Sequence, residues 1–67
     1  MKYRRIKDLR EDYDWTQQYV ADHLHISRST YSNYENEIRD IPIEILIRLA
    51  KLYHVSLDYL VGLSDKR

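Results

Sequence analysis

The sequence predicts an all-α fold of five short helices, arranged as a single domain over residues 1–67. Three observations carry that prediction. Apolar residues recur at spacings of three and four along nearly the whole chain. Only one glycine and one proline interrupt 67 residues, with no linker-like or low-complexity stretch. Thr16, Ser27 and Ser56, whose side-chain oxygens can accept from first-turn N–H groups, each precede an apolar-periodic run.

The first helix is expected over roughly Tyr3 to Asp12, with Ile6, Leu9 and Tyr13 facing inward. Its amino end is basic (Lys2, Arg4, Arg5, Lys7) and the stretch after it acidic (Asp8, Glu11, Asp12, Asp14). That order opposes the helix dipole, and the basic end reads equally well as a phosphate-reaching arm or as a solvated surface. The second and third helices are capped by Thr16 and Ser27. Trp15 can staple onto Val20 and Ile26 onto Tyr31, although neither cap has the Glu or Gln that would complete a capping box. Val20, Ala21 and Leu24 face Tyr31 and Tyr34 across the break, and the small Ala21 permits the close crossing a helix-turn-helix unit needs. An ordinary helical hairpin would share this phasing. Pro42 marks the start of a fourth helix with Glu44 near its positive end and Leu46, Leu49, Ala50 and Tyr53 as core stripe. His54 closes it. Ser56 caps a fifth helix, with Val55 able to staple onto Leu60, and Gly62 ends it with Leu63 placed to fold back.

The outward positions of the third helix separate it from a bland solvated surface, which would be a mixture of Glu and Lys. Here they are Arg28, Ser29, Ser32 and Asn33. Arginine can grip guanine O6 and N7 in two bonds and asparagine adenine N6 and N7, while the serines keep the face narrow enough for a groove.

With its elements in this order, the chain resembles the Cro and repressor type of helix-turn-helix domain, the XRE family. The resemblance runs from Ile6 to Leu63 through IKDLRE at 6–11, TQQYVADHL at 16–24, ISRSTYSNYEN at 26–36, Pro42, and IRLAKLYHVSLDYLVG at 47–62. It implies a lambda repressor-like five-helix fold, a recognition helix from about Arg28, transcriptional control, and an internal ion pair between Arg10 and Glu35. It also implies site roles. Base reading falls to Arg28, Ser29, Ser32, Asn33 and Gln17, and phosphate binding to Gln18, Ser27, Asn36 and Arg39. The sequence departs from the pattern at His25, where the family favours a glycine able to take positive φ. It departs again at Glu37 to Asp40 (EIRD), where only Arg39 is basic in a loop that touches phosphate in relatives.

A chain of this size leaves a marginal core that helix packing or a partner must support. Without cysteine there is neither disulfide nor thiolate metal site, which fits a reducing cytoplasm, the expected location. No leader and no membrane-length apolar run are seen. The net charge of +0 implies a modest salt dependence on DNA. Apolar residues exceed what one small core needs. Ile41, Ile45 and Leu52 flank the fourth helix, and Leu57, Leu60, Val61 and Leu63 near the fifth are the expected homodimer interface. A two-fold dimer would place two recognition helices roughly 34 Å apart on a near-palindrome of double-stranded DNA. An enzyme is not indicated: His23 and His25 fall on different sides of a helix, and there is no phosphate loop and no cysteine nucleophile. No cofactor, metal, membrane contact or small-molecule ligand is expected. The tyrosines read as core and boundary residues. The competing reading is a protein-binding module on the same scaffold, such as an antitoxin that neutralises a partner protein and binds its own promoter. The near-neutral charge and acidic loop speak for it.

Overall fold

A computed structural model describes residues 3–67 as five helices: α1 (Arg4–Asp12), α2 (Gln17–Leu24), α3 (Arg28–Glu35), α4 (Ile43–Tyr53) and α5 (Leu57–Leu60). Lys2 of the basic amino end lies outside the described residues. Each expected helix forms, and Thr16, Ser27 and Ser56 accept from the backbone N–H three residues on, as side-chain caps do.

One core forms where α2 and α3 cross and α1 and α4 close over them. Val20, Ala21 and Tyr31 are completely enclosed, and Ile6, Leu9, Leu24, Leu49, Tyr53 and Leu60 nearly so. Three expectations are corrected. Tyr13 is not an inward residue but sits at the rim, 39% exposed, with its hydroxyl donating to the Tyr53 carbonyl at 3.3 Å. Ile45 belongs to the core and not to the surplus surface. Leu60, expected in a dimer interface, is 1% exposed because α5 is short and spends its inward leucine on the main core.

All five helices end in one way. The residue after each helical stretch turns left-handed at Asp14, His25, Glu37, His54 and Gly62, and the next N–H reaches back five residues: Trp15 to Arg10, Ile26 to Ala21, Ile38 to Asn33, Val55 to Ala50, and Leu63 to Asp58. This is the Schellman closure, and in each case the returning N–H belongs to an apolar residue. His25, where the family favours glycine, does take the left-handed conformation with φ at 58°, and His54 does the same at 57°.

Among the described residues, Glu35 is the one charged carboxylate drawn inside. Its side chain is 2% exposed, and it accepts from Arg10 Nε (2.9 Å) and Nη2 (2.8 Å), the Tyr31 hydroxyl (2.6 Å) and Gln17 Nε2 (3.1 Å). Arg10 Nη1 also donates to the Trp15 carbonyl at 2.8 Å, so the pair implied by the resemblance joins α1, α3 and the start of α2. Burial alone would raise the Glu35 carboxyl, but the hydrogen bonds from Arg10, Tyr31 and Gln17 outweigh it and hold it below its ordinary value. The Tyr31 hydroxyl is pushed up by burial and by donating to Glu35.

Arg5, which the sequence left open between a phosphate-reaching arm and a solvated surface, is spent on the carboxy end. Nη1 donates to the Tyr59 and Ser64 carbonyls at 2.7 and 2.6 Å, Nη2 meets Asp65 Oδ1 at 2.9 Å, and the guanidinium lies 4.1 Å from the centre of the Tyr59 ring.

Three predictions follow from this packing. Replacing His25 or His54 with glycine relieves a left-handed side-chain-bearing residue at the cost of chain entropy, and is expected to raise stability by about 0.5–1 kcal/mol each in denaturant melts. Arg10→Ala leaves Glu35 charged and buried without its main partner, and is expected to cost about 3–5 kcal/mol. Because the folded carboxyl is depressed, its contribution is complete above the ordinary value of 4.5 and is lost as pH falls below it and through the folded value. Urea titrations of wild type and Glu35→Gln across that window read the difference, which vanishes at low pH.

Candidate nucleic-acid interface

The α2–α3 unit divides its residues cleanly. Tyr31 is buried, and Tyr34 packs against the core, on one side of α3. Arg28, Ser29, Ser32 and Asn33 fall on the other at i, i+1, i+4 and i+5, with Arg28 and Ser29 exposed and Ser32 and Asn33 half-buried. The structure therefore brings the four expected base-reading residues of α3 onto one face. Ser29 and Asn33 make no side-chain hydrogen bond among the described residues.

Neither α2 nor α3 has an acidic residue in its first turn, a feature shared with α1, whereas α4 has Glu44 and α5 has Asp58. Both helices of the unit thus leave their positive ends uncovered, and α3 places Arg28 there against its own dipole. A position that breaks a local stability rule is where function is to be sought.

Gln17 is not free in the way expected of it. Its Nε2 donates to the buried Glu35 carboxylate, so the amide orientation is fixed by a group that can only accept, and Oε1 is turned toward Arg28 Nη1 at 3.4 Å. Gln17 therefore offers an acceptor beside the arginine, with one of its two amide N–H groups committed to Glu35. Sequence reasoning missed this link, and the signal was the pairing of Glu35 with a first-turn amide on the neighbouring helix.

The expected phosphate-binding residues differ in availability. Ser27 caps α3 and donates its hydroxyl proton to Thr30 Oγ1 at 2.8 Å. Gln18 Nε2 donates to Asp22 Oδ1 at 2.7 Å, and Asn36 Nδ2 to Ser32 Oγ at 3.1 Å; both bonds are exposed and open to exchange. Arg39 is exposed and its side chain makes no hydrogen bond or ion pair among the described residues. It borders a shallow cleft between the start of α1 and the α3–α4 loop, shared with Arg4, Glu35, Glu37 and Asp40. Among the described residues no group of three or more His, Cys, Asp or Glu side chains could hold a metal ion, and no helix is long and apolar enough to cross a membrane.

Comparison with known proteins accords with this geometry. The helix-turn-helix family profile matches residues 6–60. The uncharacterized HTH-type transcriptional regulator YobD of Bacillus subtilis is 38% identical over 65 residues, covering 97% of this chain and 58% of that protein. The HTH-type transcriptional regulator ImmR of the same organism is 41% identical over 62 residues, covering 92% and 49%. The cryptic phage CTXphi transcriptional repressor RstR of Vibrio cholerae is 34% identical over 61 residues, covering 91% and 55%. The crystal structure of a transcriptional regulator from Listeria innocua superposes with a TM-score of 0.78 at 32% identity, covering 84% of this chain and 52% of that one. The chain spans about half the length of the curated relatives it matches. Five helices in the expected order, a braced α2–α3 crossing and a profile match over 6–60 place this chain in the XRE-type helix-turn-helix family.

Proposed function

We propose that this chain is a sequence-specific DNA-binding transcriptional regulator, a repressor that occupies a near-palindromic operator as a homodimer. The observation that carries the reading is the α3 face: Arg28, Ser29, Ser32 and Asn33 aligned on one side of a helix whose other side is fixed by Tyr31 and the Glu35 ion pair. Rigid backing is what base discrimination requires, since a loosely held side chain loses the register on which a bidentate contact depends.

In this reading α3 enters the major groove. Arg28 and Asn33 form the discriminating contacts, Ser29 and Ser32 pack at close approach, and Gln17 steadies Arg28 from α2. Arg39 is the strongest phosphate contact, while Gln18, Ser27 and Asn36 reach the backbone by exchanging exposed intramolecular bonds. Leu57, Val61 and the 80%-exposed Leu63 form the contact between protomers, with Leu60 supporting them from inside. The bound protein blocks polymerase by occupancy, and a balanced charge makes affinity depend less on counterion release than in basic DNA binders.

Selection of duplexes from a random pool at moderate salt tests the reading. A palindrome with half-sites one helical turn apart is the expected product. No enriched motif from folded protein moves the assignment to the protein-binding alternative.

On the selected site Arg28→Ala and Asn33→Ala are each expected to cost about 1–3 kcal/mol, with little change on random DNA. Equal losses on both would reduce these residues to phosphate contacts. Gln17→Leu is expected to relax discrimination at the base pair read by Arg28 while leaving random-DNA binding within about twofold, as competition titrations with single-base operator variants would show.

A further inference from the structure

The outer side of α4 is not used by the core or by the α3 face. Ile43 is 57% and Ile47 40% exposed, four residues apart and therefore on one stripe of the helix. Beside it runs a second stripe with Glu44 in the first turn and Lys51 in the last, both exposed and without a hydrogen bond or ion pair among the described residues. Arg48, the other cation on that side, is turned onto the Leu24 carbonyl at 3.2 Å. The two stripes are parallel, one apolar and one carrying opposite charges at its two ends.

That pattern is complementary to itself in one orientation only. When two identical helices pack antiparallel about a two-fold axis, each flank meets the same flank of its partner. Ile47 then lies near the axis against its own copy, Ile43 extends the apolar contact, and Glu44 of each helix falls opposite Lys51 of the other. A parallel pairing would instead set isoleucines against charges and bring like charges to one level. From this charge and apolar complementarity we propose that the outer face of α4 is a self-association surface whose occupant is a second copy of this chain, antiparallel, with two symmetric Glu44–Lys51 pairs flanking an Ile47 centre.

This surface is separate from the α5 face assigned to the homodimer above. An eleven-residue helix is about 16 Å long, so the contact falls short of a standard interface and is weak and concentration-dependent. Two distinct two-fold surfaces on one chain allow dimers to contact one another, as they would on neighbouring operators.

The test needs no DNA, so its outcome is independent of the DNA-binding reading. Sedimentation equilibrium is run from about 10 μM to about 1 mM on the 67-residue chain carrying Leu63→Glu, which weakens the α5 contact at an exposed position. Association is expected to persist, to weaken about tenfold in Glu44→Lys or Lys51→Glu, and to return within about threefold of the starting value in the doubly swapped Glu44→Lys/Lys51→Glu chain. Ile47→Glu is expected to abolish it. Thermal melts confirm that the variants, all at exposed positions, remain folded. A monomer throughout the range, indifference to the charge changes, or failure of the double swap to restore association each overturns the proposal.

Discussion

The Glu35 carboxylate, nearly sealed from solvent, is the constraint on which the domain depends. A charge there is tolerable only when it is fully hydrogen-bonded, and its donors come from three different elements: Arg10 on α1, Gln17 at the start of α2, and Tyr31 one turn back on α3. Satisfying it fixes the relative placement of all three. Arg10 then carries the constraint further by donating to the Trp15 carbonyl, which sets the angle at which the chain enters α2. The apolar core would accept a range of packings with similar volume. The carboxylate with its several directional donors accepts far fewer.

The consequence reaches the outer surface through Gln17. A side chain usually read as free to seek DNA is instead polarised from within, because the buried anion takes one of its two N–H groups and leaves its oxygen facing Arg28. In the proposed function, specificity and stability are thus coupled at one residue. The same economy appears at the other end of the domain, where Arg5 closes the carboxy-terminal turn by binding the Tyr59 and Ser64 carbonyls.

The fold was legible in the sequence because its signals are local and repeated: caps at Thr16, Ser27 and Ser56, and apolar stripes with few breakers between them. The α3 face was legible for the same reason, since helical spacing alone separates Arg28, Ser29, Ser32 and Asn33 from Tyr31. What spacing could not give was anything decided by contacts distant in sequence. Leu60 was misplaced because whether a leucine of a four-residue helix faces the core or a partner depends on how α5 docks, and Arg5 and Gln17 were misjudged because their partners lie 54 and 18 residues away. Tyr13 had the right phase for burial, but the chain leaves the helix at that point and the ring comes to rest on Trp15 at 4.6 Å.

The helix endings have a further implication for how this chain can change. At Asp14–Trp15–Thr16, His25–Ile26–Ser27 and His54–Val55–Ser56, three residues perform the whole connection: one reverses the chain, the next returns an N–H and packs apolar surface, and the third caps the following helix. No residue is spare, so an insertion of even one would separate reversal from cap and rotate the following helix by about 100° relative to its neighbour. Among the connections between helices, length variation is best tolerated between Glu37 and Pro42, where reversal and restart are several residues apart. That stretch contains the exposed Arg39, so a change of length there also adjusts the reach of this cation toward a charged ligand.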